Sequence, residues 1–366
     1  MCAQLHRHRH DGACPGHARL RQRSARGNER WRCLAAFLFV LLFWTPSAHA
    51  QTAADFYRNK SITLAISFSV GGGYDLYART LARYMGKHMP GNPQIVPQNM
   101  PGAGGLRVAQ FLYTAAPRDG LTFGTFTRMA GVAPLVDTSQ KYDAAKFTWL
   151  GAITDAVSVC ITWHTSPVKT WKDFLDKPVT LGGTGPNGEL DIFTNLYKNV
   201  FNANAKLVQG YPGTAEIMIA IERGELDGVC GIDWTTIKAQ RPHWIADKKI
   251  NVIAQAAFRK DRDLPAIPLI TELTSDPEKQ QILKLFVSAH ELARPYAAPP
   301  DIPADRAAAL VAAFEATTKD AEFLAETAKH KMEVAPVGGK QLADMLAELY
   351  ATPEAILVKA RAAIAR

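Results

Sequence analysis

Residues 61–75, SITLAISFSVGGGYD, and residues 94–105, QIVPQNMPGAGG, decide the architecture of this chain. In each, a short apolar run rich in β-branched residues stops at a glycine-rich turn, and a helix-period pattern follows. Ile62-Thr63-Leu64-Ala65-Ile66 reads as a buried strand, and Tyr77, Leu81, Tyr84 and Met85 fall on one face of the helix after it. Gln94–Gln98 is a second strand whose Pro97 confines it to an edge or a bulge. Leu106, Ala109, Leu112 and Tyr113 share the next helix face, and LTFGTFT, after Gly120, is a third strand. This β-α-β-α-β run predicts an α/β fold with a doubly wound, mainly parallel sheet and helices on both faces.

Downstream the plan repeats with new material. VSVCITW (157–163), VTLGGTG (179–185) and AKLVQGY (205–211) read as strands, 190–201 as a helix, and TAEIMIAIERGELDG (214–228) as a helix closed by Gly224 and leading to a strand through Val229 and Cys230. Residues 250–254 form a further strand. Residues 307–314, 322–330 and 341–350 show helical spacing, which Pro353 breaks before a short terminal helix. A chain that starts one α/β unit, builds a second and returns predicts two lobes with a ligand cleft between them. Lobe I takes residues 51–157 and 259–366, and lobe II residues 158–258.

Composition excludes several classes. The 366 residues are 47% hydrophobic and 21% charged, which is ordinary for a globular chain and argues against disorder or a polytopic membrane protein. The net charge of +8 is concentrated at the start: residues 1–50 hold eight arginines against Asp11 and Glu29, while the other 316 residues carry 34 basic and 32 acidic groups. So balanced a body has no electrostatic footprint for nucleic acid. Residues 33–44, CLAAFLFVLLFW, follow the arginine-rich stretch and precede Ala48-His49-Ala50, a small-residue cleavage pattern. Twelve residues span about 18 Å of a roughly 30 Å hydrocarbon core. Residues 1–50 therefore read as an export signal cleaved near Ala50. Cys160 and Cys230 are the cysteines left in the body; both follow β-like runs and are candidates for a disulfide, two buried free thiols being the alternative.

Three loops carry the functional signal: Ser67–Asp75, Asn99–Gly105, and GGTGPNG at 182–188. Each follows a strand and precedes a helix. Glycine lets the backbone approach a ligand closely, and the free N–H groups of a helix start favour anions. None fits a dinucleotide or P-loop fingerprint.

The motifs resemble those of the periplasmic solute-binding proteins of tripartite tricarboxylate transporters, the Bug proteins. The likeness rests on GGGYDLYARTLARYM (71–85), QNMPGAGGLRVAQFLY (98–113), APRDGLTFGTFT (116–127), GTGPNGE (183–189), GYPGTAE (210–216), GELDG (224–228) and DLPAIPLITEL (263–273). It implies a class II periplasmic-binding fold, monomeric, in the periplasm, that closes on a small organic carboxylate and hands it to membrane transporter subunits. By position, it implies ligand contacts from Phe68, Gly71, Gly72, Gly73, Tyr74 and Asp75, and from Asn99, Pro101, Gly102, Ala103, Gly104 and Gly105. It adds Thr127, Gly183, Thr184, Gly185, Tyr211, Gly213 and Asp233. Ser69-Val70 stand where the family carries prolines, and Tyr74 where it carries a small Ser or Thr, so Tyr74 is expected to narrow the cleft.

Read singly, Asp75 is a helix cap, Arg79 pairs with a local acid, and Arg128 is a surface residue with reach to an anion. Trp163, Tyr211 and Trp234 are core aromatics, with cleft aromatics as the alternative. No C-x-x-C, H-E-x-x-H or G-x-S-x-G is present, so neither catalytic residues, a metal nor a cofactor is expected. A receptor that signals to a membrane sensor and a small-carboxylate enzyme on the same fold are the rival readings.

Overall fold

The computed structural model describes residues 52–365, so the proposed export signal lies outside the described residues. The first lobe opens with α1 (Ala53–Tyr57), β1 (Ser61–Ile66), α2 (Gly73–Met85), β2 (Gln94–Asn99), α3 (Arg107–Thr114), β3 (Thr122–Thr125), α4 (Ala133–Val136) and β4 (Thr148–Ala152). The chain then crosses into a second sheet: β5 (Ser158–Trp163), α5 (Trp171–Asp176), β6 (Val179–Gly182), α6 (Glu189–Phe201), β7 (Ala205–Val208), α7 (Thr214–Glu222), β8 (Gly228–Asp233), α8 (Trp234–Gln240), α9 (Pro242–Ala246) and β9 (Ile250–Ala256). It returns through α10 (Pro277–Ser288) to β10 (Pro295–Ala298), α11 (Ala304–Thr317), α12 (Ala321–Lys329), β11 (Val337–Gly338), α13 (Gly339–Tyr350) and α14 (Glu354–Ala363).

The sheet orders are β11-β4-β10-β3-β1-β2 and β7-β6-β8-β5-β9. Parallel pairing is confined to β1 with β2 and β3, and to β6 with β7 and β8. The strands that leave or re-enter a sheet, β4, β5, β9 and β10, pair antiparallel. Each sheet is thus mixed rather than mainly parallel, because only the βαβ halves have the helical crossover that parallel neighbours need. Pro97 sits in β2, an edge strand, where its missing N–H breaks no ladder.

Alternation along the strands explains why both faces are covered. In β1, Ile62, Leu64 and Ile66 pack with α2 and α11, whereas Ala65 faces α3 and α13. In β5, Val159 and Ile161 pack with α7 and Trp244, while Cys160 turns to the face covered by α6 and α10. One apolar cluster runs from that face through Phe286 and Val287 of α10 to Leu357 and Ala360 of α14, and on to Met129, Val132 and Val136. The last helix is also pinned to both lobes by polar contacts. Arg361 donates to Leu135 O (2.9 Å), and Asn195 and Asn199 of α6 donate to Ile364 O (3.1 Å) and Ala363 O (3.0 Å).

Cys160 and Cys230 face each other across the antiparallel β5–β8 pair and are joined by a disulfide. Its 70-residue loop should add about 4 kcal/mol of stability by restricting the unfolded chain. Alkylation and peptide mapping of unreduced, denatured protein should recover the Cys160 and Cys230 peptides linked and unalkylated. Alkylated peptides from both positions would contradict the bond.

Candidate ligand-binding site

The glycines of the first two loops are there for close packing. Gly105 lies at φ +89° and a Cβ on it would collide with the Phe68 ring, so loop two seats loop one. Phe68 in turn stacks on Tyr74, ring centroids 4.6 Å apart, and the Tyr74 hydroxyl accepts the Arg128 N–H at 3.2 Å. Burial raises the Tyr74 hydroxyl above its ordinary pKa, with Arg128 opposing. Three separate turns of the first lobe therefore form one aromatic wall.

That wall closes against the second lobe. Phe68, Gly73 and Tyr74 line a cavity of about 40 Å³ together with Thr184, Glu189, Leu190, Thr214, Gly231, Ile232, Asp233 and Thr236. Three helices of nine or more residues begin at it: α2 at Gly73, α6 at Glu189 and α7 at Thr214. The first N–H groups of a helix have no partner within it, and the first backbone bond of α2 is Leu76 N–H to Gly72 O. Around the cavity the lobes touch again. Ser69 donates through its N–H to Pro212 O (3.3 Å) and through its hydroxyl to Glu216 Oε2 (2.7 Å), and Asn187 donates to Asp137 (2.5 Å). Gly104 is pressed on the third loop, where a Cβ would lie 2.5 Å from Pro186 O.

A buried ion cluster underlies the cavity. Arg128 and Arg294 come from the first lobe, each 1% exposed, and Asp233 and Glu189 from the second. Arg128 Nη2 donates to Asp233 Oδ1 at 2.6 Å, Arg294 Nη2 lies 2.8 Å from Asp233 Oδ2, and Arg128 Nε is 3.1 Å from Glu189 Oε2. Arg294 also donates to Thr236 Oγ1 (3.1 Å), and its guanidinium lies 4.1 Å over the Tyr77 ring. Ser158 at the start of β5 donates to Glu189 Oε1 (2.6 Å), with His290 Nε2 2.8 Å from the Ser158 hydroxyl. Burial disfavours the Asp233 carboxylate, but the two arginines outweigh it and hold it below the usual carboxylate range.

Of the residues expected from sequence, Phe68, Gly73, Tyr74, Thr184 and Asp233 line the cavity. The others shape its frame. Gly71 N–H donates to Asp75 Oδ2 (2.9 Å), while Asp75 Oδ1 accepts from Arg79 and Asn99, both at 2.8 Å. Asp75 is thus not the cap of α2, which is Gly72; it sits in the first turn and reaches back to the loop. Asn99 also donates to Phe68 O at 2.8 Å, fixing the aromatic wall. Pro101 O accepts from Arg107, and Gly102 and Ala103 sit at positive φ on the outer side of the loop, Ala103 exposed. Thr127 accepts Met129 N–H and caps the turn that carries Arg128. Gly72 and Gly213 pack on Thr214 and Ser69 across the lobe boundary. Gly183 O accepts Tyr211 N–H (3.2 Å), and Gly185 N–H donates to Asp191 Oδ2 (2.9 Å).

Trp163, Tyr211 and Trp234 do not line the cavity; all three pack with the core that covers β5 and β8. Arg128 is a correction: it is fully buried and paired across the lobes instead of lying on the surface. Glu189, Thr214 and Thr236 were not singled out in the sequence, although Glu189 and Thr214 end or sit within motifs that were.

No protein-family model matches the chain. A UPF0065 protein of Cupriavidus necator is 26% identical over 243 residues, covering 61% of this chain and 67% of that protein. The periplasmic binding protein BugD superposes with a TM-score of 0.67 at 19% identity, over 83% of this chain and 98% of its own. The fold is that of the Bug-type periplasmic binding proteins. MatC of Rhodopseudomonas palustris, solved with bound malate, gives 0.65 at 18% identity, over 82% of this chain and 99% of its own. In this chain the cavity and the ion cluster lie between the two lobes.

Asp233 is depressed when folded, so its contribution to stability is complete above the ordinary Asp pKa and is lost as pH falls below it. Asp233→Asn should cost about 3–5 kcal/mol at neutral pH, because buried Arg294 loses the carboxylate it pairs with and Arg128 loses one of its two. In urea titrations the deficit should shrink from pH 7 towards pH 3. A deficit that is absent, or the same at both, would show that the pairing does not join the lobes.

Proposed function

We propose that the protein is an exported solute receptor that captures a small organic carboxylate between its lobes and delivers it to the membrane subunits of a tripartite tricarboxylate-type transporter. The observation that supports this most is the cavity between the lobes at which α2, α6 and α7 begin. Helix starts present unpaired N–H groups and positive dipole ends, which suit a carboxylate. The malate held by MatC supports the same class of ligand.

In this reading the first-turn N–H groups of α2, at Gly73 and Tyr74, take the carboxylate. Phe68 and Tyr74 wall its carbon side, and Thr184, Thr214 and Thr236 offer hydroxyls from the second lobe. Contacts from both lobes favour the closed form, and closure is what a transporter would read. The segment 153–157, between β4 and β5, is one place where the backbone crosses from one sheet to the other. Binding is the whole of the activity; the ligand leaves unchanged.

Thermal unfolding against a panel of organic acids tests the proposal. At 100 times its Kd a ligand adds about 2.7 kcal/mol of stability, a shift of several degrees in a protein of this size. A shift produced by one class of carboxylates, with the acid recovered intact, is the expected result. No shift by any acid in folded, ligand-free protein would overturn it, as would turnover of the bound acid.

A further inference from the structure

The cavity is small, and its walls are held. Its volume of about 40 Å³ gives room for roughly three or four water-sized groups. The aromatic wall has no slack: Tyr74 is stacked on Phe68 and bonded to the Arg128 N–H, and Phe68 is seated on Gly105. Across the boundary, a Cβ on Gly73 would collide with Thr236, so the helix starts of the two lobes already touch.

The lining is also one-sided in charge. Glu189 and Asp233 face the cavity, and among the described residues that line it there is no Lys, Arg or His. Arg128 and Arg294, which neutralise those carboxylates, are not in the lining. A second carboxylate on the ligand would meet Glu189 or Asp233, whose two charges Arg128 and Arg294 already match, so no cation is left over to pair with it and it costs more than a neutral end. A hydroxyl or keto oxygen would meet Thr184, Thr214 or Thr236 instead.

We propose that the ligand is a short monocarboxylic acid, close to acetate in size, and that Tyr74 sets the size limit. This rests on the carboxylate reading above and adds to it the length and charge of the acid. Tyr74 is a specificity residue because its ring occupies the space that a longer chain would fill. Serine at that position would open it while leaving the helix start in place.

Titration calorimetry of the wild type and Tyr74→Ser against acetate, glycolate, lactate and pyruvate, and against succinate, malate and adipate, tests this. The wild type should bind the best short acid at least about tenfold tighter than any dicarboxylate. Tyr74→Ser should narrow or reverse that ratio by a similar factor. Dicarboxylates binding more tightly to the wild type would overturn the inference while leaving the carboxylate receptor standing, as would an unchanged ratio in folded Tyr74→Ser. Failure of every acid in both sets to bind would overturn the receptor reading and the inference with it. Should Tyr74→Ser not fold, the wild-type ranking decides alone.

Discussion

Asp233 held between Arg128 and Arg294 is the interaction on which the rest of the site depends. Each of its oxygens takes one guanidinium, at 2.6 and 2.8 Å, and Asp233 of the second lobe meets both arginines of the first across the lobe boundary. Buried charge is costly unless paired, so this cluster tolerates few relative positions of the lobes. Asp233 immediately precedes α8, and Arg294 of the cluster holds Thr236, which faces Gly73. The turn that carries Arg128 also supplies the N–H that holds the Tyr74 hydroxyl. The pairing of the lobes and the shape of the cavity therefore depend on the same few atoms.

This arrangement separates two jobs that charged residues often share. The arginines join the lobes from behind the cavity, and the carboxylates they neutralise present the face. In the proposed reading, anion recognition falls to backbone N–H groups at helix starts, which bring partial positive charge without a long side chain. Such a site is small by construction. The C-terminal helix α14 holds the lobes from elsewhere, touching Leu135 in one and Asn195 and Asn199 in the other through Arg361 and its last carbonyls.

Much of this was legible in local sequence. Strand periodicity and glycine punctuation located β1, β2, β6 and their following helices because both signals act over a few residues. The loop at 71–75 was legible for the same reason, although Asp75 serves as a loop anchor four residues back and not as the cap. Arg128 was misread because its partner lies 105 residues away in the other lobe. A lone arginine after a strand carries no local sign of burial. Glu189 and Thr214 stood inside conspicuous motifs, but glycine drew attention away from the side chains that reach the cavity. The antiparallel strands β4 and β10 were not read from the sequence, being short and defined by the crossing of the chain between sheets.

The central claim is that an intact small carboxylate is held between the lobes. Protein purified from cells that export it, washed and then denatured, can be tested by mass spectrometry of the small molecules it releases. The account predicts a single short organic acid, unmodified and near-equimolar with the chain. Release of no acid from protein reloaded with the same extract, or of a chemically altered product, would contradict it.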